Sequence, residues 1–424
     1  KLKTNKLRLS LLKYKLHLGR EEAKVYLEKV ENALSLDGNN EIKNPYFSNL
    51  IENKKERLPE KIISLIHFGR SGTGLLHSLI DNHSQVSTIP SFYFSEFFDP
   101  ATWKNITKDG WSNITDRFIS YYPVFFDARK SHPVDSINKS KIEHLGITEG
   151  MTELGENRKN FLSVEKEKFK KELDFLISQH QYLDQYIFFK LVHVAYEKTI
   201  RKVYNYKKNI FYHIHNPDVC ARLNFIRKAS HDKWIVMVRD PVDSCESWSC
   251  EYFVNNDYYE IVMNIKTMLY EIDNIALSDR DTIGLRLEDL KQKPKKTIKS
   301  LSKWMEIKEE NTLYEMTAQG EKWWGDRSSP NSEAFGKLSR KKIGKVFSET
   351  DRLILNTLFY PFNKRFGYTL ESDKKFKDNL EKIYPMMNRL FDFEKEIAKR
   401  LKIDFINFMK LGHYRYLRTV LKDR

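Results

Sequence analysis

The stretch that decides the fold is KIISLIHFGRSGTGLLHSLIDNH, residues 61–83. A run of apolar, largely β-branched residues, Ile62 to Phe68, predicts a buried parallel strand. Gly69 leaves it, and Gly72 and Gly74 permit a tight turn. A helix then runs through Leu75, Leu76, Leu79 and Ile80 and stops near Asn82. Backbone N–H groups at the start of such a helix lack intrahelical acceptors, and the helix dipole adds partial positive charge. An oxyanion fits there. Ser71 and Thr73 add hydroxyl donors, and Arg70 adds a permanent cation.

The loop lacks part of what an ATP or GTP site carries. Gly69 and Gly74 satisfy the glycines of G-x-x-x-x-G-K-[ST], but Leu75 and Leu76 stand where the lysine and the magnesium-binding hydroxyl belong. A magnesium-nucleotide kinase or NTPase is therefore disfavoured.

Outward from this loop the pattern alternates. YIFFKLVHV (186–194) reads as a second strand, KWIVMVR (233–239) as a third and TIGLRLEDL (282–290) as a fourth. Helical segments intervene, at 165–183 and 295–307. Strands separated by helices predict an α/β domain with a central parallel sheet flanked by helices, over residues 61–370. Residues 1–60 read as a basic helical extension, and residues 371–424 as a second helical extension ending in the basic FMKLGHYRYLRTVLKDR.

Composition sets the outer limits. The chain has 424 residues, 40% hydrophobic and 13% aromatic, which is ample for a large core. Lys and Arg exceed Asp and Glu by 15, which favours an anionic partner: nucleic acid, an anionic membrane reached through the basic termini, or a polyphosphorylated small molecule. No nucleic-acid recognition module is visible, so a basic nucleic-acid-binding protein is the weaker alternative. No apolar run approaches the roughly 20 residues of a spanning helix. Cys220, Cys245 and Cys250 show no metal-ligand spacing, and a metal site is not expected. Few cysteines point to a reducing, cytoplasmic compartment. The chain starts at Lys1 rather than Met, which leaves room for a targeting or anchoring segment before it. Asn82, Asn105, Asn113 and Asn138 match the glycosylation pattern, as an Asn-rich chain does by chance.

A second constellation lies in KWIVMVRDPVDSCESW (233–248). Arg239 ends the strand, Asp240 suits an N-cap and Pro241 the first helical position. Ser247, two turns past Asp240, returns to the same face and makes a second anion site with Arg239. Ligands of open α/β sheets bind at the carboxyl ends of strands, where both sites fall.

With both motifs in place the chain resembles the sulfotransferases that use 3′-phosphoadenosine 5′-phosphosulfate (PAPS). FGRSGTGLL (68–76) resembles the family's 5′-phosphosulfate loop. VRDPVDSCESW (238–248) resembles its 3′-phosphate motif, with Ser247 eight residues after Arg239. RLEDLKQKPKKTIKSLSKWMEI (286–307) resembles the strand and helix that follow, and RKKIGKVF (340–347) resembles, more loosely, a basic segment near the domain's end. The similarity spans residues 60–370.

The resemblance implies a P-loop-NTPase-like fold and sulfuryl transfer from PAPS to a hydroxyl or amine, leaving 3′-phosphoadenosine 5′-phosphate (PAP), without a metal. Arg70, Ser71, Gly72, Thr73, Gly74 and Leu75 would line the phosphosulfate. Arg239 and Ser247 would hold the 3′-phosphate, with Arg340 and Lys341 closing over it. Arg70 would act electrostatically on the leaving phosphate, since arginine does not readily give up a proton. A tryptophan that some members place after the loop is Leu75 here, so adenine stacking must come from elsewhere; Trp323 and Trp324 are candidates. For the general base, His193 is expected first and Glu96 second, although the spacing from Lys190 to His193 is one residue longer than the family's K-x-H. His67 reads as structural. The acceptor, a small molecule, glycan or peptide, is not specified, nor is the oligomeric state. A fold that binds PAP without catalysis is the remaining variant.

Overall fold

The computed structural model describes residues 41–47, 55–90, 94–131, 145–214, 219–229, 232–272, 281–327, 329–330 and 333–404. Of the helical extensions expected over 1–60 and 371–424, residues 1–40, 48–54 and 405–424 lie outside these residues, and the described 41–47 and 55–60 hold no helix. The short strand Ile42–Lys43 pairs antiparallel with Tyr182–Leu183.

Five parallel strands form the central sheet: β1 (Lys61–His67), β2 (Val86–Thr88), β3 (Asn209–His213), β4 (Lys233–Val238) and β5 (Thr282–Arg286). Their spatial order is β2-β3-β1-β4-β5. The chain is thus an α/β protein whose parallel sheet carries helices on both faces. Alternation along the strands divides the core. Ile62 and Ile66 of β1, Ile210 and Tyr212 of β3 and Trp234 of β4 join an aromatic cluster on one face. Ile63, Leu65, Phe211, Ile235 and Met237 pack on the other with Leu75, Leu76, Leu79 and Ile80. Those four leucines and isoleucines belong to α1 (Thr73–Ile80). Leu76 and Leu79 are each 1% exposed, so each contributes about 1.5–3 kcal/mol of burial.

The segment expected as a second strand, 186–194, is helical. It lies inside α3 (Gln185–Ile200), which follows α2 (Lys166–Ser178) across the aromatic face. Asp184 caps α3 by accepting from the Ile187 N–H at 2.7 Å. Eleven of its sixteen residues are buried, including Phe188, Phe189, Leu191, Val192 and Val194. A helix buried on nearly all sides loses its 3.6-residue polar stripe, and a short window of it then reads as a buried strand.

Beyond β4 come α4 (Pro241–Val254) and, after β5, α5 (Pro294–Met305). Helices Asp373–Ile383 and Asp392–Leu401 follow near the end. Ile383, Phe391, Phe393 and Ile397 share one buried cluster with Phe68, Val238 and Val242, so these late helices complete the core beside β4. Among the described residues no helix is long and apolar enough to cross a membrane.

Candidate active site

From β1 the chain moves through α1 to β2 on one side of the sheet; from β4 it moves to β5 on the other. The crevice therefore opens between the carboxyl ends of β1 and β4. Register sets the two exits level. His67 pairs with Met237, so Gly69 and Arg239, each two residues on, leave the sheet side by side.

The first exit is built from backbone. Gly69 and Gly72 have φ of +62° and +85°, a region costly for other residues. A Cβ on Gly69 would stand 2.5 Å from Ser244 Oγ, and one on Gly72 2.7 Å from Leu287 Cδ1, so the loop is pressed against both neighbours. Gly72 is the N-cap of α1 and supplies no side-chain cap. The first N–H groups of α1 are left for a ligand. Ser71, 1% exposed, has an Oγ with no hydrogen-bond partner. An orphaned buried hydroxyl beside an uncapped helix start suits an oxyanion ligand.

The second exit is built from side chains. Asp240 Oδ1 accepts from the Asp243 N–H at 2.9 Å, and its own N–H donates to Glu288 Oε1 at 3.0 Å. This N-terminus is already filled by a carboxylate. An anion near it must be held by Arg239, 9% exposed, and by Ser247, both of which line the cavity. One residue before Ser247, the fully buried Glu246 collects a set of donors. Its Oε1 accepts from the N–H groups of Lys345, Val346 and Phe347 at 2.8–3.0 Å, and its Oε2 from Gly344 N–H at 2.9 Å and Arg352 Nη1 at 2.5 Å. That carboxylate ties segment 344–347 to α4 and sets Lys341 and Lys342, just upstream, on the cavity wall. Arg340 turns outward instead. Its side chain is 73% exposed, 3.8 Å from Asp243 Oδ2, and it does not line the cavity.

The cavity measures about 640 Å³, within the usual range for small-ligand sites. Arg70, Ser71, Gly72, Thr73, Gly74, Leu75, Arg239, Ser247 and Lys341 all line it, as the sequence leads one to expect. Trp323 lines it too; Trp324 does not, and its Nε1 donates to Gly155 O at 2.8 Å.

His193 and Glu96 do not line it. His193 sits on α3, 1% exposed, with Nδ1 3.0 Å from Ser87 Oγ, and burial followed by the nearby His77 lowers its pKa to about 3. Lys190, expected to sit beside it on a strand, lies one helical turn away, and its Nζ donates to Glu60 O at 3.3 Å. Glu96 lies half-buried in the turn 94–98, its carbonyl accepting from the Asp99 N–H at 2.9 Å.

Other histidines and carboxyls take their place on the cavity wall: His67, His77, His213, Glu149 and Asp326. His67 and His213 end neighbouring strands. The His77 ring centroid lies 5.7 Å from that of His213, and burial, opposed by Asp81, lowers the His77 pKa to about 4. His77 stands one helical turn after Thr73, so it was legible as a cavity residue once the loop was placed. Glu149, in HLGITEGMTELG (144–155), has no such signal.

Together the fold and the paired exits define a parallel α/β protein with a cavity at its switch point, lined by an open helix start and by cationic side chains. No family description and no curated protein matches the chain. Among solved structures it is similar to the "Sulfotransferase Domain from the Curacin Biosynthetic Pathway", with a TM-score of 0.36 and 15% identity over 82% of this chain and 99% of that one.

Proposed function

We propose that this protein is a sulfotransferase that moves the sulfuryl group of PAPS to an acceptor hydroxyl or amine. The observation that carries this reading is the meeting of two distinct exits in one cavity, one an open helix start beside Ser71 and the other carrying Arg239 and Ser247. PAPS carries two separated anionic groups, a 5′-phosphosulfate and a 3′-phosphate, and neither needs the magnesium that the loop is not equipped to share with a nucleotide.

In this reading the N–H groups of α1 and the hydroxyls of Ser71 and Thr73 hold the phosphosulfate. Arg70 stabilises the negative charge that builds on the phosphate oxygen as the sulfur–oxygen bond breaks. Arg239, Ser247 and Lys341 hold the 3′-phosphate, with Lys342 beside them rather than Arg340. Trp323 is placed to pack against the bound nucleotide or the acceptor: its Cη2 would lie 3.3 Å from a Cβ on Gly74. Transfer is in line, so the acceptor enters from the side of the sulfur opposite the leaving phosphate.

The test is transfer of labelled sulfate from PAPS to a panel of alcohols, phenols and amines, alongside release of PAP. Transfer that vanishes in Arg70→Ala supports the reading. Absence of transfer to any member, together with ATP turnover in the presence of magnesium, would replace it with nucleotide hydrolysis or phosphoryl transfer.

A further inference from the structure

Opposite the loop the cavity ends in a different chemistry. Glu149 is 5% exposed and lines the cavity, and neither carboxyl oxygen has a hydrogen-bond partner. Its position is tightly determined. The Glu149 carbonyl accepts from Trp323 Nε1 at 2.8 Å, and the far edge of the same indole packs against Gly74, so a single ring separates the loop from Glu149. The next residue, Gly150, has φ +72°, and a Cβ there would meet Gly325 O at 2.4 Å. Arg327 N–H donates to Thr148 O at 2.9 Å. Segment 148–150 therefore lies against 325–327, which brings Asp326, itself on the cavity wall, beside Glu149. Met151, Trp323 and Pro330 supply apolar wall at this end.

A buried carboxyl in native proteins is normally paired. Two buried, unpaired oxygens on a residue of the cavity wall leave capacity for a ligand that both donates and accepts. We propose that the end of the cavity bounded by Glu149, Met151, Trp323 and Asp326 is the acceptor subsite, that it takes an uncharged hydroxyl compound with an apolar framework, and that Glu149 receives the hydroxyl proton. This assignment rests on the sulfotransferase reading. An amine acceptor fits less well: as an ammonium it would share the cavity with Arg70, Arg239 and Lys291. In the step the acceptor oxygen forms its bond to sulfur, and the bond from sulfur to the phosphate oxygen breaks. That electron pair leaves with PAP, and the proton moves to Glu149.

Burial, and then the charge of Asp326, push the Glu149 carboxyl well above the usual carboxylate range. A carboxylate tuned upward in this way is a stronger base than a free one. The other titratable groups facing this space are His67, His77 and His213 on the sheet side. Cations lie on the donor side, in Arg70, Arg239 and the lysines 291, 341 and 342. Because only ionised Glu149 can take the proton, turnover should rise with pH through its titration. Removing the Asp326 charge should move that rise to lower pH.

The test is infrared difference spectroscopy of the wild type against Glu149→Gln, with phenol and 1-octanol as probes on the PAP-loaded protein. The expected result is a carboxyl band that titrates with pH, is absent from the variant, is perturbed by at least one probe and titrates lower in Asp326→Asn. With PAPS, Glu149→Gln should lose roughly 10²–10⁴-fold in turnover while binding PAP as the wild type does. A carboxyl band unmoved by both probes while PAP binds normally overturns the acceptor assignment and leaves the donor reading standing. Failure to bind PAP overturns the donor reading, and the acceptor assignment with it.

Discussion

Two chain segments leave the sheet side by side, and they are built in opposite ways. After β1, the N-terminus of α1 is open: Gly72 caps it without a side chain, and Ser71 Oγ waits unpartnered. After β4, the N-terminus of α4 is closed by the Asp240 carboxylate, so any anion there depends on Arg239 and Ser247. An open backbone site favours any compact oxyanion, because N–H groups and a dipole carry little shape information. A side-chain site built around one arginine selects a dianion at one place. The first exit is thus suited to the reacting group, common to many nucleotides, and the second to the feature that separates PAP from AMP.

That division can be broken by mutation. The largest effect is expected at the open exit: Arg70→Ala should lower sulfuryl transfer by at least about 10²–10³-fold, the scale of losing one transition-state donor. Steady-state kinetics with PAPS check this, and near-normal turnover would remove Arg70 from the chemistry. At the closed exit, Arg239→Ala should weaken PAP by roughly 10–100-fold, the loss of charged hydrogen bonds, yet leave AMP affinity nearly unchanged. Equal losses for both nucleotides would mean that the two exits do not divide the ligand as described.

Smaller still is Asp240→Ala. It removes the cap of α4 and should cost about 0.5–2 kcal/mol of stability in thermal unfolding without weakening PAP. A marked drop in PAP affinity would show that the cap is part of the site. The smallest effect concerns pH. His77 and His193 are held neutral by burial, with pKa values near 4 and 3. The unfolded chain takes up their protons as pH falls below about 6.5, whereas the folded chain resists until near those lower values. Both therefore contribute stability above pH of about 6.5 that is lost as the medium is acidified. Melting temperature should fall on going from neutral pH to about 4, and His193→Gln should flatten part of that fall.

The loop side of this cavity was legible in the chain because its pattern is local. FGRSGTGLL and VRDPVDSCESW each hold strand end, loop and helix start within a few residues, and strands β1, β4 and β5 are bounded by glycine, proline or acidic residues. Residues 186–194 misled because a helix surrounded by core shows no polar face. Strand β2 went unread because its three residues carry too little pattern. The wall opposite the loop was hidden for another reason. Glu149, Asp326 and His213 come from three separate parts of the chain and meet only when the sheet is assembled. No spacing rule links them. The histidine chosen from a family pattern, His193, turned out to bond Ser87 within the packed core.

Calorimetry of nucleotide binding bears most directly on the central claim, that one cavity holds a phosphosulfate-bearing donor through an open and a closed exit. PAP, AMP and ATP with magnesium would be titrated in turn into the wild-type protein. The account expects PAP to bind far more tightly than AMP and ATP with magnesium to bind weakly. Preference for ATP with magnesium, or equal affinity for PAP and AMP, would contradict it.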